Sequence, residues 1–237
     1  MAKLSSASLV QPQDLYVSST TAQTDLGQLA FTPDGRAFRY AYAGGVALVA
    51  GTLLQSAAET TGWENLTAVA ASVGDTSISA SSTITATANQ LAGGYALITV
   101  TPGIGQMYGI SGHAAYSAAA PTINLTEPVR VALTTSSRID LVASPYSGVI
   151  INPATATAAP VGVAVVATPI NNYGWIQVGG VANILNDGGS TVGTNVSASN
   201  AVAGAVEAAV TAQAAIGVAL TGISTTENGA IKLFGLL

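Results

Sequence analysis

No lysine lies between Lys3 and Lys232 in this chain of 237 residues, and charged side chains make up only 7% of it, against about 25% in an ordinary soluble domain. A solitary globule keeps its exterior wet with lysine and glutamate. A chain without them must coat itself with hydroxyls and amides or cover its exterior with partners. Assembly is the favoured reading, because hydroxyl and amide groups suit packed, hydrogen-bonded interfaces and do less for colloidal solubility. Low charge alone would also fit disorder, but 49% hydrophobic residues and a mean hydropathy of +0.50 supply ample apolar surface for a core. The length fits one large β domain or two small ones joined closely.

The same composition excludes several partners. A net charge of −5 with six lysines and arginines leaves little to neutralise a run of phosphates, so neither nucleic acid nor an anionic membrane surface is an expected partner. No cysteine is present, which removes disulfides and thiolate metal sites. The stretch Met1 to Pro12 lacks the sustained apolar core of a signal peptide, so the mature chain is expected to start there. The longest apolar stretch, Gly44 to Leu54, is too short for a membrane-spanning helix of about 20 residues.

Along the chain, residues 1–30 are rich in Ser, Thr and Gln and hold no period for long, which reads as an N-terminal arm. Such an arm is either a disordered tail or an extended clamp that orders on a neighbour. From Phe31, a Pro33-Asp34-Gly35 turn precedes Phe38, Tyr40 and Tyr42 alternating with Arg39 and Ala41, the pattern of a β-hairpin. Val46 to Leu54 is the next apolar segment. Further strands are expected within Thr76–Thr87, Tyr95–Thr101, Gln106–Ser111 and Ile123–Leu141, then at Val161–Val166 and Tyr173–Leu185. For Ala198–Ala215 the alanine content favours helix and the flanks favour strand; strand is expected. Many short strands with turn signals make the fold class all-β, a compact barrel or sandwich with an extended N-terminal arm. The expected organisation is an arm (1–30), a β-rich domain (31–152), an Ala/Thr/Pro linker (153–160) and a C-terminal β subdomain packed on the first (161–237).

Catalytic chemistry finds little purchase. The one histidine, His113, has no carboxylate nearby in sequence to orient it and reads as structural or surface. Gly103-Ile104-Gly105-Gln106-Met107-Tyr108 puts tyrosine where a dinucleotide fingerprint needs its third glycine. The carboxylates are scattered singly, without the spacing of a metal loop. No catalytic residue, cofactor or metal is therefore expected. Trp63 follows Thr60-Thr61-Gly62 and reads as exposed, whereas Trp175, between glycines in a strand, reads as core. Either is an alternative interface anchor.

Three segments, taken in order, resemble tailed-bacteriophage virion proteins of the head-decoration, or capsid cement, type. The first runs from Leu29 through Pro33-Asp34-Gly35 to Tyr40 and on to Gly44–Gly51. The second is Asn89–Ile98 with Gly105–Ile110. The third is Tyr173–Leu185 with Ile216–Leu220. The resemblance implies a non-enzymatic subunit on the outside of an icosahedral capsid, assembled in the host cytoplasm. There it would bind the major capsid protein, as a homo-oligomer with a trimer favoured. Candidate contacts are Leu9, Leu15 and Tyr16 of the arm, Arg36, Phe38, Arg39, Tyr40 and Tyr42 of the hairpin, and Trp63. The alternative is a phage tail or receptor-binding β-barrel using exposed aromatics such as Trp63.

Overall fold

The computed structural model describes residues 8–9, 12–210 and 213–236. Apart from a 3₁₀ turn at Pro12–Tyr16, every regular element among them is a β-strand, in accord with the all-β expectation. No helix among them is long and apolar enough to cross a membrane. The strands begin with β1 (Ser8–Leu9), β2 (Leu29–Phe31), β3 (Ala37–Ala43) and β4 (Leu53–Gln55). There follow β5 (Leu66–Thr67), β6 (Ser77–Ser79), β7 (Ile84–Ala86), β8 (Tyr95–Val100), β9 (Met107–His113), β10 (Tyr116–Ala119), β11 (Thr122–Leu125) and β12 (Arg138–Val142). The last group is β13 (Ser147–Ile151), β14 (Pro160–Ala164), β15 (Tyr173–Leu185), β16 (Asn195–Ala198), β17 (Val206–Ala208), β18 (Gly217–Ala219) and β19 (Asn228–Leu233).

The described chain forms two compact units, and the division is discontinuous. Residues 59–144 form one, inserted in sequence within the other, which is built from the segments on either side. The expected break at residues 153–160 lies inside this second, parent unit. The Ala/Thr run there is a loop between β13 and β14, pinned by the buried Gln55. Its Nε2 donates to Thr157 Oγ1 at 2.8 Å, and its Oε1 accepts from Thr157 N at 3.3 Å. The chain crosses between the units near residues 58 and 144, the second crossing at Ser144-Pro145-Tyr146-Ser147-Gly148.

In the parent unit, β3, β13, β4, β14 and β15 pair in a ring, β15 returning antiparallel to β3, and so close a five-stranded barrel. A barrel this narrow holds only small and branched side chains inside, and the sequence of β3 supplies them. Ala37, Ala41 and Ala43 join Leu54, Val149, Val161, Ile176 and Val178 in one core. The large residues of β3, Phe38, Tyr40 and Tyr42, alternate onto the opposite, outer face. The expected hairpin is present: β2 pairs antiparallel with β3 from Leu29↔Arg39 to Phe31↔Ala37 across the Pro-Asp-Gly turn.

The 13-residue β15 serves two structures in succession. Tyr173–Gly179 is a barrel strand, and after a bulge at Gln177/Gly179 the chain turns at Gly180 to pair with β19 from Gly180↔Leu233 to Leu185↔Asn228. Gly180 holds φ +80°, and a Cβ there would lie 2.9 Å from Arg36 Cα, so this corner needs glycine. Beyond it, β19, β18, β16 and β17 cover a separate core of Ala182, Ile184, Val196, Val206, Ile216, Ile231 and neighbours. Within the ambiguous 198–215 region the described residues contain strand and no helix.

The inserted unit holds a six-stranded sheet in the order β5-β12-β8-β9-β11-β6 and an antiparallel β7–β10 pair. The two edges of the sheet meet at the Ala68–Ala80 bridge, where Val69 N donates to Ser79 O at 2.9 Å and Ser81 N to Thr67 O at 2.8 Å. Inside lie Trp63, Leu91, Ile98, Tyr108, Ile110, Ile123, Ile139 and Leu141. Two expected strands shrink. Val129–Leu133 is loop with one bridge at Leu133, and of Val46–Leu54 only the last two residues enter β4, because Gly51 at φ +79° turns the chain.

Candidate interaction surfaces

The described part of the expected arm lies on its own barrel. Ser19 and Tyr173 exchange main-chain hydrogen bonds of 2.9 and 2.8 Å, Gly27 N donates to Tyr40 O at 2.8 Å, and Gln23 N donates to the Tyr40 hydroxyl at 3.1 Å. These contacts cover the outer aromatic face of β3, which explains why several predicted contact residues are interior. Leu15 and Phe38 are fully buried and Tyr40 nearly so. Tyr40 packs edge-on to Trp175 at 5.2 Å and stacks on Tyr173 at 6.1 Å; Tyr173 in turn meets Tyr42 at 4.8 Å. Tyr42 is half-buried and its hydroxyl donates to Asn171 Oδ1 at 3.0 Å. Trp175, read as core, is half-buried. Arg39 is half-buried, with Nη1 donating to Gly27 O at 2.6 Å and its guanidinium over the Tyr146 ring at 5.3 Å. Leu9 falls in β1, and its side chain lies outside the described residues.

Trp63, read from its Thr-Thr-Gly neighbours as exposed, is 4% exposed. Its carbonyl accepts the Leu141 N–H at 2.9 Å, so β12 draws the residue into the core of the inserted unit. His113 is also buried. Nδ1 donates to the Ala114 carbonyl at 2.6 Å, Nε2 accepts the Leu91 N–H at 3.0 Å, and the ring stacks on Tyr116 at 5.6 Å. The imidazole ties the Leu91 turn to β9. Among the described residues no group of three or more His, Asp or Glu is placed to hold a metal ion.

Of the predicted contacts, Tyr16 and Arg36 come together. They line a depression of about 540 Å³ in the parent unit, beside Gln177, Asn183 and Asn228, where β15 leaves the barrel. Arg36 Nε donates to Asp34 Oδ2 at 2.7 Å. The Tyr16 hydroxyl first, and the Asp34 carboxylate after it, hold the guanidinium above its ordinary pKa against partial burial. Asp34 is held below the usual carboxylate value, chiefly by the Thr32 hydroxyl that donates to it and then by Arg36, with burial opposing.

A second surface was missed in the sequence. On β8 the inward residues Ala96 and Ile98 are buried, as an antiparallel sheet requires, but the outward residues Tyr95 and Leu97 are apolar too. Tyr95 stands opposite Val142 of β12, and Leu97 opposite Met107 of β9. Tyr95, Met107 and Val142 are 40%, 50% and 42% exposed. An antiparallel strand with one wet face alternates apolar and polar residues; an apolar run such as Tyr95–Val100 is the pattern of a strand covered on both faces. The signal was present in that run and reads as an ordinary core strand until its outer neighbours are known.

No family model matches the chain, and no curated protein and no solved structure matches it.

Proposed function

We propose that this chain is a non-enzymatic virion structural protein that binds the outer surface of an icosahedral phage capsid as a homo-oligomer, a trimer at local three-fold positions, and stabilises contacts between major capsid subunits. The observation that carries the proposal is the outward Tyr95, Leu97, Met107 and Val142 face, an apolar row interrupted by one carboxylate, Asp140 opposite Leu97, with Tyr95, Met107 and Val142 each 40–50% exposed. A chain with 7% charged residues has little to keep such a face in water, and a shell of folded subunits offers the dry, shaped cover that a soluble small partner does not. The sequence resemblance to capsid cement proteins points the same way. A subunit that binds only the assembled shell stabilises it by mass action at every copy.

The test is co-sedimentation of the purified chain with capsids assembled from the major capsid protein of the same genome. Wild type is expected to saturate the particles. A Tyr95→Lys/Met107→Glu variant, which places two charges in the face, is expected to bind at least tenfold more weakly (about 1.4 kcal/mol) with an unchanged melting temperature, since both side chains are already half in water. Equal binding by wild type and variant would refute the assignment of the face. Failure of wild type to bind capsids, with binding to tails, would refute the function and favour the tail-protein reading.

A further inference from the structure

The pocket where β15 leaves the barrel belongs to the parent unit, whereas the Tyr95 face belongs to the inserted one, and the pocket's lining restricts what it can bind. Its volume of about 540 Å³ lies within the roughly 300–1,000 Å³ of small-ligand sites. No carboxylate lines it, so a cation finds no counter-charge. Its one cation, Arg36, is already paired with Asp34, which also accepts the Arg36 main-chain N–H at 3.3 Å. An anion entering the pocket therefore meets a largely neutralised charge.

A peptide strand is disfavoured for a different reason. Docking by strand addition needs open main-chain groups. Here the Val181 carbonyl takes Gln177 Nε2 at 2.8 Å, and the Leu185 N–H donates to the Gly51 carbonyl at 2.7 Å.

What remains is neutral and bifunctional. The exposed side-chain amides of Asn183 and Asn228 both donate and accept, and the Tyr16 ring, 50% exposed, adds a flat apolar face with a hydroxyl at its rim. Gly51 is part of the construction: a Cβ there would lie 2.1 Å from Asn228 Nδ2, so its absence lets that amide seat against the pocket floor. Small residues, Ala164 and Ala182 among them, complete the floor. Two planar amides, an aromatic face and small apolar residues in one lining match a ring that has C–H faces and an equator of hydroxyls.

We propose that this pocket binds a neutral saccharide of about one or two pyranose rings. The site is open and its polar groups are few, so a Kd on the order of 1 mM is expected. The inference stands apart from capsid attachment, because it concerns the isolated chain in solution.

The experiment is saturation-transfer-difference NMR on the full chain with glucose, galactose, mannose, N-acetylglucosamine and their common disaccharides. N-acetylalanine methylamide and inorganic phosphate serve as counter-probes. Transfer to at least one neutral sugar is expected, reduced at least fivefold by Asn183→Ala and by Asn228→Ala, and unchanged between about 0.05 and 0.5 M NaCl, a range that screens an ionic contact. Amide shift changes in the wild-type spectrum, confined to residues around Tyr16, Gly51 and Asn183, supply the same answer without relying on a variant's fold. Absence of transfer to every sugar of the panel, sugar binding that both variants retain, or displacement of the sugar by phosphate or the peptide analogue would each overturn the proposal.

Discussion

Replacing Trp63 by alanine separates the two readings of this residue. An exposed tryptophan contributes within about 0.5 kcal/mol of nothing when truncated. The structure instead buries the side chain among Leu66, Ile98, Tyr108 and Leu141, leaving 4% of the residue accessible. A buried tryptophan removes roughly 150–250 Å² from water, worth about 4–6 kcal/mol at 25 cal/mol/Å² as an upper estimate. Measured Trp→Ala costs of about 3–5 kcal/mol agree. The main-chain bonds of residue 63 survive the change, so the loss comes from packing alone. Native-state hydrogen exchange reads it by region: amides of β8, β9 and β12 should exchange about 100- to 4,000-fold faster, at tenfold per 1.4 kcal/mol. The core of the inserted unit shares no residue with the cores of the parent unit, so β3, β15 and β19 should keep wild-type protection. An acceleration under tenfold in β12 would refute the burial of Trp63. An equal acceleration in β15 would refute the separateness of the cores.

Three further outcomes follow from the same geometry. Replacing residues 59–144 by a short Gly/Asn turn should leave a folded barrel, because β4 and β13 pair antiparallel and a Cβ at Gly148 would touch that of Ala57 at 3.4 Å; an amide spectrum collapsed to random-coil shifts would contradict this. Gly180→Ala should cost about 1–3 kcal/mol in urea unfolding through its φ of +80° and the Arg36 backbone behind it; a neutral result would count against the corner. The Glu59 carboxyl is held above its ordinary 4.5, first by its hydrogen bond to Glu64 and then by that group's charge. A raised carboxyl stabilises the fold below that ordinary value and loses its contribution as pH rises through the shifted one. Glu64→Gln should therefore raise the melting temperature at about pH 7 and not at about pH 4, and a gain equal at both would exclude the coupling.

Where local chemistry decides structure, the sequence was legible. Pro33-Asp34-Gly35 sets the turn, Phe38, Tyr40 and Tyr42 alternate with Ala37, Arg39, Ala41 and Ala43, and β2 and β3 form the expected hairpin around them. The strand content of Tyr95–Val100, Met107–His113 and Tyr173–Leu185 followed from the same period-two patterns and Gly/Pro breaks. What period alone cannot tell is how many faces of a strand are covered. Phe38 and Tyr40 point away from the barrel core and are still buried, because residues 14–28 fold back over them through pairings such as Ser19–Tyr173. Tyr95, with the same outward placement on its sheet, receives no such cover. The discontinuous insertion was illegible because it depends on β4 pairing with β13 across some ninety intervening positions, a contact no local signal marks. Of the pocket, the sequence had singled out Tyr16 and Arg36, but Asn183 and Asn228 joined them only through the β15–β19 pairing.

The measurement that bears most directly on the central claim is a cryo-electron microscopy map of the virion whose genome encodes this chain. Density for the closed barrel and the inserted unit should stand on the outer surface of the head, at local three-fold positions, with Tyr95, Leu97, Met107 and Val142 against a neighbouring subunit. Density for the chain in the tail, its absence from the particle, or that face left open to solvent on the head would contradict the account.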